Sequence, residues 1–364
     1  MKLAIVAENR INKTASLGGT YWYMHLMLET LRGYDITLFV EGVITDNLRK
    51  TCQEQNIKIH LMPSRPMRAQ GFQLSFLWEL FTYNIKLINF DKVIVSGSSD
   101  CRMLGLAFIS KKSALIFHSQ PNKEYKGLFG KLNKFVLKRI SVLKKSQIFT
   151  VSNSQSQTLA KNGIMANVIN NPSLLNLNVK SDPLPNNINL VKKPYLLTIG
   201  QMVSYKGIDH WIRLVEEFNL LGIDCNFVWV GYGQDRYKVD SLIKRLKLDN
   251  IYIIEQLNDL NDLYSNAVAY FHPSLREAYC LTLCDSAYLK TPFFCFENVG
   301  DNADIVQKSS CGLLINEENY IDIIKEFVVK SYAKYRSVND YDEKFSINEF
   351  SNEFICKIVE ANND

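Results

Sequence analysis

Tyr195-Leu-Leu-Thr-Ile-Gly200-Gln-Met-Val-Ser-Tyr-Lys206-Gly207 and the later run Val268-Ala-Tyr-Phe-His-Pro-Ser-Leu-Arg-Glu277 decide how this chain is read. In the first, an apolar strand-like run closes on Gly200, passes a short turn and delivers a lysine to the start of an amphipathic segment. Backbone N–H groups and the dipole at a helix N-terminus favour an anion, and Lys206 adds a fixed positive charge, so phosphate is the natural guest. In the second, a strand ends in His272-Pro273 and leads to Glu277. Asp285 follows eight residues later and is expected about two turns into a helix over 280–290. Two carboxylates so placed reach different hydroxyls of one extended ligand.

Outward from these two runs, strand-like and helix-like stretches alternate. Short apolar or β-branched runs fall at 3–8, 35–40, 57–62, 92–97, 113–119, 146–152 and 166–170, and again near 195–200, 225–231, 251–256, 267–273, 292–298 and 311–316. Amphipathic stretches lie between most of them, in the second half at about 207–221, 234–246, 280–290 and 318–335. Such alternation predicts parallel sheets covered on both faces. From Asn170 to Pro194 the chain holds Pro172, Pro183, Pro185 and Pro194 among Asn and Ser with no periodicity, which predicts a linker. The chain therefore reads as two doubly wound units in tandem, with a further amphipathic helix over 346–361. Open sheets of this kind bind ligands at the carboxyl ends of their strands, so a cleft between the units is the expected site.

Composition narrows the class. The 364 residues are 47% hydrophobic and 22% charged, which is globular, and no apolar run approaches the ~18 residues of a membrane span. The first strand begins at once and meets Glu8 and Arg10, unlike a signal peptide, so the expected location is cytoplasmic. Eight cysteines with no Cys-x-x-Cys pair fit reduced thiols. Charge is uneven: residues 1–170 hold 23 Lys/Arg against 10 Asp/Glu, and the remainder holds 19 against 27. The basic half suits an anionic partner. Its densest part, 111–145, has ten Lys/Arg and one acid, Glu124, with Leu128, Phe129, Leu132, Phe135, Val136, Ile140 and Leu143 at helical spacing. A basic amphipathic helix predicts docking on an anionic membrane surface. No nucleic-acid recognition module is visible, and nucleic acid is not an expected partner.

Other residues carry weaker signals. Gly18-Gly19 after the first strand lets a backbone approach a bound group, although the dinucleotide fingerprint Gly-x-Gly-x-x-Gly is absent. His118 closes the fifth strand, where its imidazole suits a hydrogen bond to a sugar. His25, His60, His210 and His272 read as structural. Gly231-Tyr-Gly233 is a further glycine turn at a strand end. Cys280, Cys284 and His272 are too scattered by spacing to predict a zinc site, and no metal or cofactor is expected.

The order and spacing of Gly18-Gly19, Val151-Ser-Asn-Ser154, Val168-Ile-Asn-Asn-Pro172, Thr198-Ile-Gly200 with Lys206-Gly207, Val228-Trp-Val-Gly-Tyr-Gly233 and Pro273-Ser-Leu-Arg-Glu277 resemble the retaining glycosyltransferases of family 4, within the glycosyl transferases group 1. The resemblance implies the GT-B fold: two facing Rossmann-like α/β domains with a cleft between them and a C-terminal helix crossing back. It implies an acceptor domain over 1–170, a linker over 171–194, a nucleotide-sugar domain over 195–345 and a final helix over 346–364. It further implies that Lys206 holds the diphosphate of a nucleotide-sugar, with a UDP-sugar first in line. Gly200 and Gln201 would lie beside it, and Glu277 with Ala278, Tyr279, Cys280 and Leu281 would form the loop on the donor sugar. Asp285 stands in for the second Glu of the family's Glu-x7-Glu on the ribose, Gly18 and Gly19 lie near the distal phosphate, and His118 lies beside the sugar. The implied reaction replaces the nucleotide diphosphate by an acceptor hydroxyl with anomeric retention and without a metal. The acceptor would be lipid-linked or a saccharide, as in bacterial surface polysaccharide assembly at the inner face of the membrane. The chain departs from the pattern in three places: Gln201 where the family has Arg, Ala278-Tyr279-Cys280 where it has Gly-Phe-Gly, and Asp285. These departures suggest a changed donor or, as the alternative, a catalytically degenerate scaffold subunit.

Overall fold

The computed structural model describes residues 1–9, 19–42, 44–62, 86–97, 113–118, 131, 134–135, 137–139, 141–142, 148–175, 177, 194–255, 257, 259–331 and 341–361. Gly18 and most of 111–145 lie outside the described residues. The chain divides into two compact units, one made of Met1–Asn170 with Phe350–Asp364 and the other of Asn171–Glu349.

In the first unit, seven strands form one parallel sheet in the order β3-β2-β1-β4-β5-β6-β7. They are β1 (Lys2–Asn9), β2 (Asp35–Gly42), β3 (Lys58–Met62), β4 (Lys92–Gly97), β5 (Ser113–Phe117), β6 (Ile148–Thr150) and β7 (Asn167–Val168). Every residue of β4, β5 and β6 is buried, as expected for strands covered on both faces. The helix Asn153–Ala160 is capped by Ser152, whose hydroxyl accepts from Gln155 N–H. The final helix, Ile347–Phe354, buries Phe350 and Phe354 and continues into a wider turn over Ile355–Val359. Within the first unit Phe350 meets the Tyr23 ring edge-on at 6.0 Å, and the Ser351 and Thr30 hydroxyls lie 3.0 Å apart.

The second unit is a six-stranded parallel sheet ordered β10-β9-β8-β11-β12-β13. Its strands are β8 (Tyr195–Ile199), β9 (Asn226–Val230), β10 (Ile251–Ile254), β11 (Ala269–His272), β12 (Phe293–Phe296) and β13 (Gly312–Ile315). The order runs outward from β8 in one direction and from β11 in the other, which makes the carboxyl ends of these two neighbours the topological switch point. The core on the sheet is aromatic: Trp211 from the helix Ile208–Leu220 meets Trp229 of β9 edge-on at 5.3 Å, and Phe271 stacks on Tyr320 at 5.8 Å. Burying such rings supplies much of the folding free energy of a domain this size.

The predicted strand positions agree with the structure, with one shift that matters. The helix expected over 280–290 runs from Leu281 to Tyr288, because Cys280 keeps an extended backbone and Lys290 enters the left-handed region before Thr291-Pro292. Asp285 therefore lies little more than one turn into it, not two. Two short helices, Asn261–Asn266 and Asn302–Lys308, escaped the sequence reading, since six or seven residues give too few turns for a periodic pattern.

Candidate active site

The switch point of the second unit is where the quoted runs meet. After β8 the chain makes one turn of 3-10 helix, Ser204–Lys206, and Gly207 then opens the helix Ile208–Leu220. Gly207 sits at φ 77°, and a Cβ there would stand 1.9 Å from the Pro273 carbonyl oxygen. Only glycine lets the two runs pack this closely. They are also laced together, since Leu275 N–H donates to the Tyr205 carbonyl at 2.9 Å. On the other side, Met202 N–H donates to Tyr232 O at 3.2 Å and the Trp229 indole N–H to Gly200 O at 2.8 Å. The glycines around 231 thus anchor the β8 turn.

This packing brings three ionisable groups together. Lys206 Nζ lies 2.6 Å from Glu277 Oε1, and His272 Nε2 approaches the same oxygen at 3.2 Å. Burial alone would raise the Glu277 carboxyl, but hydrogen bonds and charge from His272 and Lys206 outweigh it and hold the group down at about 2. Burial would lower His272, yet Cys280 and Glu277 beside it bring the imidazole up to about 9. Lys206 is likewise pulled down by burial and up, in the net, by Glu277 and Cys280. The cluster thus sets the Glu277 carboxylate between Lys206 and His272. Its outer member, Lys206, keeps 23% of its side chain exposed, whereas His272 keeps 4%.

His272 was expected to be structural, and sequence reasoning missed its place beside Glu277. The available signal was its position, a strand-end histidine followed by proline five residues before the carboxylate. Cys280 is buried, with Sγ 3.3 Å from His272 Nε2. Cys284, grouped with it by spacing, instead donates to Asn171 O at 3.5 Å. Tyr279 is buried, Ala278 and Leu281 are half-buried, and Gly200 and Gln201 lie at the end of β8.

Asp285 is 5% exposed, and its Oδ1 accepts from the Ser173 hydroxyl and from Leu174 N–H, both at 2.8 Å. The ribose role drawn from the resemblance would have to compete with these donors, which hold the carboxylate on the 173–174 backbone. Burial pushes this carboxyl up from 3.8 to about 6, against the two hydrogen bonds. The folded state therefore holds the proton more tightly than the unfolded chain. Stability falls as pH rises from about 4 to about 6, and above that window the ionised group costs roughly 3 kcal/mol. Asp285→Asn is expected to raise stability at pH 8 by up to that amount and to give no gain at pH 4, as urea unfolding at the two pH values would show.

In the first unit, Gly19 begins the helix Gly19–Thr30. His118 follows β5, with Nε2 2.7 Å from the Ser96 hydroxyl and its ring 4.2 Å from that of Tyr23. Burial lowers its imidazole to about 3. A neutral imidazole suits a hydroxyl rather than a phosphate.

The model of the family described as glycosyl transferases group 1 matches residues 182–334, which include Lys206, His272, Glu277 and Asp285. Together with the fold, this supports a glycosyltransferase of the GT-B type. An uncharacterized glycosyltransferase of Haemophilus influenzae is 21% identical over 315 residues, 85% of each chain. The Anabaena protein HepE, solved with UDP and glucose, shares the fold at a TM-score of 0.71, with 13% identity over 99% of this chain and all of that one. The lipopolysaccharide outer core galactosyltransferase WaaB, solved in its apo form, matches at a TM-score of 0.66 and 16% identity over the whole of both chains. Among the described residues, no helix is long and apolar enough to cross a membrane.

Proposed function

We propose that this GT-B glycosyltransferase moves a sugar from a nucleotide-diphosphate sugar, UDP-linked in the first instance, to a lipid-linked or saccharide acceptor in bacterial surface polysaccharide assembly, with retention at the anomeric carbon. One observation carries the reading: Lys206, Glu277 and His272 converge at the switch point of the second sheet, beside the N-terminus of the helix Ile208–Leu220. A diphosphate arriving there competes with Glu277 for the Lys206 ammonium. Once Lys206 turns to phosphate, the Glu277 carboxylate remains paired with His272 and is released toward the sugar hydroxyls. The developing charge on the leaving phosphate is then met by a lysine and by helix N–H groups, with the proton of the acceptor hydroxyl passing to that phosphate. No enzyme nucleophile or metal is needed for such a step. His118, kept neutral, would donate to a sugar hydroxyl.

HepE with its UDP and glucose, and WaaB with its place in lipopolysaccharide assembly, favour this donor class and this type of acceptor. The surplus of cations in residues 1–170 favours an acceptor or membrane surface that is anionic, engaged from the cytoplasmic side. In the described part of 131–142, Leu137 is buried while Lys131, Phe135, Lys138, Arg139 and Val142 are exposed together, a basic and apolar face of the kind that docks on lipid. Incubation with UDP-sugars and a polyprenyl-linked saccharide, followed by NMR of the product, tests the reading. The expected product carries the donor's own anomeric configuration. An inverted product, or none with any nucleotide-sugar, would overturn it.

A further inference from the structure

The cluster holds a chemistry that sugar transfer does not use. His272, Glu277 and Cys280 each offer a ligand atom, and these atoms lie within 4.8 Å of one another. His272 Nε2 is 3.2 Å from Glu277 Oε1 and 3.3 Å from Cys280 Sγ. Tetrahedral zinc with ordinary bond lengths sets its nitrogen and oxygen ligands roughly 3.4 Å apart and its nitrogen and sulfur ligands roughly 3.6 Å apart, so both edges that meet at His272 lie within about 0.3 Å of what the ion requires.

The shell behind the imidazole is also in place. The Tyr270 hydroxyl lies 3.0 Å from His272 Nδ1 and donates to Thr282 Oγ1 at 2.7 Å. With Nε2 on a metal, Nδ1–H donates to the tyrosine oxygen and the tyrosine proton keeps its threonine, a relay that fixes ring and tautomer. Glu277 already binds a cation, the Lys206 ammonium at 2.6 Å. Lys206 is the most exposed member of the cluster, so it can withdraw to solvent and leave the carboxylate to a dication.

Against the sequence expectation of no metal, we propose that His272, Glu277 and Cys280 form a three-ligand site for zinc, which displaces Lys206 from Glu277 when it binds. Binding releases the thiol proton of Cys280 and the Nε2 proton of His272 to solvent, and water completes the tetrahedron. The site stands independently of the sugar-transfer reading. Its occupation removes Glu277 from the lysine that reading assigns to the diphosphate, so zinc would act there as an inhibitor.

The test is a titration of the full chain with cobalt(II) as a spectroscopic stand-in for zinc, followed by displacement with zinc. The wild type is expected to bind one cobalt with a thiolate-to-metal charge-transfer band and the visible bands of a tetrahedral ion. Cys280→Ser should lose the charge-transfer band, His272→Gln the tetrahedral spectrum, and Tyr270→Phe about tenfold in affinity. Cys284→Ser and Cys356→Ser should bind as the wild type does. A wild type with no tetrahedral cobalt spectrum, or a band that survives in Cys280→Ser, would overturn the proposal. Because Cys280 is buried and its variant is open to misfolding, mass-spectrometric alkylation of the wild type gives a second reading. Zinc should protect Cys280 and leave exposed Cys356 reactive, and equal labelling of Cys280 with and without zinc would also overturn the site.

Discussion

Lys206→Ala is expected to cost about two to three orders of magnitude in kcat/KM, the range seen when one charge-stabilising donor leaves a preorganised site. Two losses combine. The diphosphate loses its nearest cation, and Glu277 is left with His272 as its one remaining cationic neighbour in the cluster. Removing one member of a buried ion pair typically costs about 3–5 kcal/mol. Lys206 is part exposed and His272 stays behind, so solvent and the imidazole hold the stability loss well below that range. The expected signature is thus a large fall in activity with a small fall in melting temperature. Steady-state kinetics alongside calorimetry reads both, and a mutant with near wild-type kcat/KM would remove Lys206 from the reaction.

Gly207→Ala should produce the opposite balance, a large loss of stability in the second unit. The residue sits in the left-handed region, where a Cβ costs about 1–2 kcal/mol, and that Cβ would stand 1.9 Å from Pro273 O, a contact that cannot persist. Either the 273–277 loop moves or the 204–207 turn does. Overpacking of this kind adds about 1–3 kcal/mol, so a total of about 2–5 kcal/mol is expected, or roughly 10 °C in the transition of this unit. Displacing the loop also separates Lys206 from Glu277, so activity falls with stability. A Gly207→Ala protein that melts like the wild type would show that the two runs are not packed as described.

How far the sequence disclosed this depends on the length over which each signal acts. Strands such as β1 and β9 are legible because parallel strands buried on both faces are continuous apolar runs. Lys206 and Glu277 were legible because each follows such a run at a glycine or proline turn. Their direct pairing was not, since 71 residues separate them and their contact exists only through the β8–β11 neighbourhood. His272 and Cys280 were passed over for a related reason: a strand-end histidine and a cysteine in an apolar stretch are ordinary core residues until the turn between them is known. Asp285 shows what spacing leaves open: its eight-residue offset from Glu277 suggests two hydroxyl-binding acids, and gives no sign that its carboxylate also meets Ser173 and Leu174.

On the proposed function, the switch point of the second sheet receives a nucleoside diphosphate on Lys206. Isothermal titration of the wild type and of folded Lys206→Ala with UDP, GDP, ADP and CMP in metal-free buffer tests it most directly. One diphosphate, UDP first, is expected to bind the wild type, and the mutant to bind it at least tenfold more weakly, or about 1.4 kcal/mol. Binding of that nucleotide with equal affinity by both proteins, or no binding of any of them by the wild type, would contradict it.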